Sequence, residues 1–144
     1  MSTPPEAVDG PGGKSFARQR NPETVFDLSS KEERDNEKRE RNLEFVLSQL
    51  NVLFNDAGKL ASLGLEHFHS DWVARRAAKN IVAEIGEAVG RLPESYTTKF
   101  PSINWSLPVG TRNRIVHDYD NVDPAIIWTV LSDDVPSMRA ILGL

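Results

Sequence analysis

Apolar residues recur at intervals of three and four along most of this 144-residue chain, a spacing that places them on one face of an α-helix and suits no strand. Leu43, Val46, Leu47, Leu50, Leu53, Phe54 and Ala57 trace a first helix that should end near Gly58 or Gly64. Ala74, Ala78, Ile81, Ile85, Ala88 and Leu92 trace a second, which Pro93 stops. Beyond a loop with Pro101 and Trp105, the spacing predicts a third helix with Val109, Arg112, Val116 and Tyr119 on one face and Pro108 in its first turn. Asp123 as N-cap and Pro124 at the first helical position open a fourth, striped by Ile127, Trp128, Leu131, Val135, Met138 and Leu142, with a kink expected at Pro136. Trp72, Trp105 and Trp128 read as core residues on these stripes. With no strand-period alternation longer than a few residues, the expectation is all-α, a bundle of four main helices.

The length fits one domain. Pro4, Pro5, Pro11 and Pro22 with Gly10, Gly12 and Gly13 leave the start of the chain almost without clustered apolar residues, so a disordered N-terminal tail is expected over residues 1–28 and a helical domain over residues 29–144. The run KEERDNEKRE, Lys31 to Glu40, predicts a solvated stretch of helix that Ser30 and Glu33 can open as a capping box. No run approaches the roughly 20 apolar residues that cross a bilayer, and no apolar h-region marks a signal peptide. A cytoplasmic protein without a membrane partner is therefore the expectation. The chain has no cysteine, which excludes disulfides, a thiolate nucleophile and Cys-based metal sites. Seventeen Lys and Arg against 21 Asp and Glu give a net charge of -4, so any contact with RNA or DNA must be local.

One segment gathers chemistry. Arg112, Asn113, Arg114, His117 and Tyr119 fall within about two helical turns. Asn113 and His117, four apart, share a face, while Arg112 and His117 are separated by about 140° around the axis, a gap that a long guanidinium can span. An arginine fork suits a phosphate oxygen, and an imidazole exchanges protons near neutrality. Each residue also has an ordinary explanation: solvated ion pairs for the arginines, a satisfied carbonyl for His117, a half-buried phenol for Tyr119. Spacing alone does not choose between the two. The HFH triplet of His67 and His69 has no third ligand in view, so it reads as polar surface and no metal site is expected. Neither VGTRN nor LGLE forms a phosphate-cradling glycine loop.

The stretch RNRIVHDY followed by NVDPAIIW resembles the HepT-like family of HEPN domains, whose hallmark is Arg, four residues, His, one residue, Tyr. Upstream, RRAAKNIVAEIGEAVGRL resembles the family's second helix with its IGEA signature at Ile85, Gly86, Glu87 and Ala88, and FPSINW resembles its lead-in to the motif helix. The resemblance runs from about Asn42 to Leu142. It implies an all-helical HEPN bundle and a toxin of a two-gene toxin-antitoxin module. Such a toxin is a metal-independent endoribonuclease without a cofactor, held in check by a minimal nucleotidyltransferase antitoxin. It also implies roles: Arg112 and His117 as the catalytic pair, Asn113 as the polar residue beside that arginine, Tyr119 as the tyrosine that receives AMP, and Asp71 and Glu87 as acidic positions that cap and orient.

Attack of a ribose 2′-OH on the neighbouring phosphate needs a proton acceptor and a proton donor, yet each chain has one motif histidine. Two chains supply two, so a homodimer is expected. The resemblance implies a dimer with both motif helices along one cleft, where Arg112 and Arg114 of both copies would gather positive charge for binding phosphate. The alternative is an interaction module that binds a nucleotidyltransferase, with or without a nucleotide, and cuts nothing; Asp118, Asp120 and Asp123 around the motif favour it by opposing phosphate.

Overall fold

The computed structural model describes residues 22–144, with side chains from Leu28 onward. Most of the expected disordered tail, residues 1–21, lies outside the described residues. Helix α1 runs Pro22–Ser62, so Ser30 stands inside a helix and not at its start, and no capping box opens there. Two units are distinguished, one ending at Arg41 and one from Asn42 to Leu144. In the first, Lys31 to Glu40 are all exposed, as an alternating run of charge requires.

The second unit carries the core. After α1, Gly64 adopts φ +94°, a left-handed turn that a side chain would strain, and two helices follow, α2 (Leu65–Ser70) and α3 (Trp72–Gly90). Asp71 caps α3 by accepting a hydrogen bond from the Val73 amide at 2.9 Å. A short α4 (Glu94–Thr97) leads through a loop to α5 (Ser106–His117). There the Trp105 indole N–H donates to the carbonyls of Thr97 and Phe100 at 3.1 and 3.3 Å, which pins the loop. Asp123 accepts from the Ala125 amide at 2.9 Å and opens α6 (Pro124–Thr129). A π-helical turn over Val130–Asp134 then joins it to α7 (Val135–Leu142). The wider turn comes just before Pro136, whose ring and missing N–H forbid an ordinary α-helical bond to the residue four earlier.

The buried residues follow the stripes: Val46, Leu50, Phe54 and Ala57 from α1, Ala74, Ala78, Ile85 and Ala88 from α3, and Ile127, Leu131, Val135 and Met138 from the last segments. In this unit the described residues form an all-α bundle of four main helical segments. In α5 the buried residues are Thr111 and Ile115, and Val116 on the mixed face is 54% exposed. One expectation about the core needs correction. Trp72 is 65% exposed, because it precedes Ala74 by two positions and so points about 200° away from the stripe. Trp105 and Trp128 do pack against the core.

Gly86 fixes how closely α3 and α5 meet. A Cβ placed there would run into the Pro108 carbonyl oxygen and the Arg112 Cβ, so only hydrogen lets the two backbones touch. None of the described helices is long and apolar enough to cross a membrane.

Candidate functional site

The contact at Gly86 brings the next residue of α3, Glu87, beside Arg112 of α5. The Arg112 guanidinium lies 3.2 Å from a Glu87 carboxylate oxygen and donates to the Asn113 amide oxygen at 3.1 Å. Two acceptors thus hold one fork, and with the Glu87 side chain 54% exposed the pair adds little to stability and acts mainly on direction. Arg112 and Val116 line one side of a cavity of about 510 Å³. Val52 of α1, itself 57% exposed, and Glu84 of α3 line others. At the rim Arg91 donates to the Gln49 side-chain oxygen at 2.9 Å.

His117 is the last residue of α5 and is exposed. Among the described residues no hydrogen bond or ion pair engages its imidazole, and it does not line the Arg112 cavity. Arg114 is exposed as well and lines a different cavity, with Ala125 and Thr129. Within one copy, then, Arg112 and Asn113 are brought together, while His117 and Arg114 point elsewhere from the same helix.

Tyr119 does not belong to that helix, contrary to the expectation. Asp118 leaves the helical region at φ -148° and ψ 53°, and its carboxylate accepts from the Asn121 side-chain amide at 2.7 Å, which folds residues Tyr119–Asn121 into a 3₁₀ turn. The turn delivers Tyr119 to α3. There the Lys79 ammonium sits 4.4 Å and the Arg76 guanidinium carbon 5.3 Å from the centre of the phenol ring, both within cation–π range. Lys79 also donates to the Tyr119 backbone carbonyl at 2.8 Å. These two cations were not legible as site residues, although Arg75, Arg76 and Lys79 form a visible basic stripe.

Asp71 and Glu87 do cap and orient, the first at α3 and the second at Arg112. His67 faces Asp71 at 3.3 Å. Among the described residues no group of three or more His, Cys, Asp or Glu gathers to hold a metal ion.

A family model described as "Ribonuclease HepT-like" matches residues 54–143. The chain is 29% identical over 97 residues to a protein of Caldanaerobacter subterraneus named "Putative RNase TTE0752", which spans 67% of this chain and 84% of that protein. It is 31% identical over 72 residues to a Methanocaldococcus jannaschii protein named "Putative RNase MJ1380", spanning 50% of this chain and 66% of the relative. A Thermococcus cleftensis protein named "Probable ribonuclease HepT" is 28% identical over 74 residues, 51% of this chain and 67% of its own. No solved structure gives a significant match.

Proposed function

Because this chain belongs to the HepT-like ribonuclease family, we propose that it is a metal-independent endoribonuclease of the HEPN type, the toxin of a two-gene module acting in the cytoplasm as a homodimer. The observation that carries this reading is an arginine aimed by Glu87 and Asn113, with an exposed imidazole, His117, one turn further along the same helix. The Arg112 fork takes the scissile phosphate and stabilises the charge that grows on it. One His117 imidazole accepts the proton of the ribose 2′-OH as that oxygen bonds to phosphorus. The bond from phosphorus to the 5′-oxygen breaks, and a second imidazole protonates the departing oxygen. The products are a 2′,3′-cyclic phosphate and a 5′-hydroxyl, and no cofactor enters.

A second copy supplies the second imidazole. The exposed Val52 and Val116 beside the Arg112 cavity give that copy an apolar place to dock, and Arg114 of both chains adds positive charge for the RNA backbone. Control acts through Tyr119. A minimal nucleotidyltransferase antitoxin transfers AMP from ATP to the phenol oxygen: the oxygen bonds to the α-phosphorus, pyrophosphate leaves and the phenolic proton is released. The added bulk and negative charge two residues from His117 then oppose RNA.

End-group analysis of cleaved RNA tests the chemistry. Cyclic phosphate and 5′-hydroxyl ends are expected, whereas 5′-phosphate ends formed directly in the reaction would exclude attack by the 2′-OH. A second reading, a non-catalytic module that binds the nucleotidyltransferase, draws on the Glu87 carboxylate that neutralises Arg112; purified protein that binds the partner and never cuts RNA would establish it.

A further inference from the structure

The pair of cations on Tyr119 opens onto a cavity of about 290 Å³. Its α3 wall is Trp72, Arg75, Arg76 and Lys79, and Tyr119 and Asp120 face them. Positions 72, 76 and 79 recur at helical spacing, so one stripe of α3 presents an indole followed by two cations. Arg75 is engaged elsewhere, donating to the carbonyls of Phe68 and His69. Arg76 and Lys79 are held against an aromatic face, and among the described residues no carboxylate pairs with either, an arrangement that keeps them in place without cancelling their charge. Among the described residues Asp120 is the one acid in the lining. A locally cationic cavity in a chain of net charge -4 is suited to an anion. Its volume is near the lower end for small-molecule sites, roughly 300 Å³, and exceeds the need of a lone phosphate. The indole of Trp72, 65% exposed at the rim, offers a flat surface on which a base can stack.

We propose that this cavity is a nucleotide pocket that takes a 5′-ribonucleotide monophosphate, its phosphate against Arg76 and Lys79 and its base against Trp72, and that AMP carried on Tyr119 settles there. The seating of AMP rests on Tyr119 being the modified residue; the affinity for the free nucleotide does not. A weak site suffices, because a covalently attached ligand is present at an effective concentration on the order of millimolar. Seating would hold the adenylyl group in place, two residues along the chain from His117, and sustain the silenced state.

The test titrates AMP into the purified, unmodified, ¹⁵N-labelled full chain and follows the amide signals and the Trp72 indole N–H. Saturable shifts at Trp72, Arg76 and Lys79 with a Kd of about 1 mM or below are expected, with adenosine at least tenfold weaker and inorganic phosphate leaving the indole signal unmoved. Trp72→Leu and Arg76→Gln should each weaken AMP about tenfold while the amide spectrum remains that of the folded chain. Lys79→Met should do the same; because Lys79 also ties the Tyr119 backbone, the two other variants decide if it unfolds. No saturable shift up to about 10 mM AMP, or shifts unaffected by Arg76→Gln, would overturn the pocket. So would variants that weaken an uncleavable 2′-O-methyl oligonucleotide while AMP binds as before, which would assign the stripe to an RNA strand. RNA cleavage by the same preparation separates the two readings. Cleavage without AMP binding fails the pocket alone, and AMP binding without cleavage fails the ribonuclease alone.

Discussion

Helix α3 handles positive charge differently at its two ends. Near its C-terminus Glu87 grips Arg112 with a carboxylate, and near its N-terminus Arg76 and Lys79 rest on the ring of Tyr119. A carboxylate gives an arginine direction and takes away most of its charge; an aromatic ring gives position and leaves the charge in place. The first arrangement suits a group that must meet a phosphate briefly and release it. The second suits a group that keeps one.

The sharpest way to break this contrast is at Gly86. Gly86→Val would drive a side chain into the Pro108 carbonyl and the Arg112 Cβ and should cost about 3 kcal/mol or more by forcing α3 and α5 apart. That is a fall in Tm of roughly 10 °C or more. Calorimetry reads it, and a Tm within about 2 °C of the parent would mean that the close approach is not needed.

Glu87→Ala isolates direction from fold. Cleavage should fall about tenfold, in kcat, while denaturant unfolding changes by less than about 0.5 kcal/mol, since an exposed pair contributes little. A rise in cleavage would mean that the carboxylate only screens Arg112, and the contrast between the two ends would collapse. Lys79→Met removes the bond to the Tyr119 carbonyl and one cation from the ring. Unfolding free energy should drop by about 1 kcal/mol, and an unchanged denaturation midpoint would show that the 3₁₀ turn is held by Asp118 and Asn121 alone.

How far these features are legible in the sequence varies with their range. The stripe Ala74, Ala78, Ile85 and Ala88 is readable because burial in a helix repeats every turn, and so is the cap at Asp123, whose acceptor is two residues from its donor. The motif residues stood out by type and by family resemblance. The end of α5 is not legible in the sequence because neither Pro nor Gly comes directly after His117. The break comes from the side-chain bond between Asp118 and Asn121, and the cluster of Asp118, Asp120, Asn121 and Asp123 was its signal. The role of Gly86 appears only when Pro108 is placed opposite it. The cations on Tyr119 were beyond reach for the same reason: Lys79 and Tyr119 are 40 residues apart, and nothing local announces the pairing. Trp72 shows the opposite error, a large apolar residue assigned to the core by type when its phase in the helix put it outside.

The smallest expected effect is at Asp134, the last residue of the π turn. Burial, and then the charge of Asp133, raise its carboxyl above the ordinary value. The folded chain therefore binds that proton more tightly than the unfolded chain, and stability is lost as pH rises above the unfolded pKa, about 3.9. Asp134→Asn should be more stable than the parent at pH 7 by a few tenths of a kcal/mol, a margin kept small by solvent screening and closing below about pH 3. Urea midpoints at the two pH values check it, and a variant less stable than the parent at pH 7 would reverse the sign.

By the proposed function, Arg112 and His117 cut RNA without a metal. The direct measurement is the rate of RNA cleavage in excess EDTA by the parent chain and by His117→Ala, with both confirmed as folded. Cleavage by the parent and a loss of about 10²–10⁴-fold in the variant are expected. Equal rates for the two, or a parent that is inactive until magnesium or zinc is restored, would contradict it.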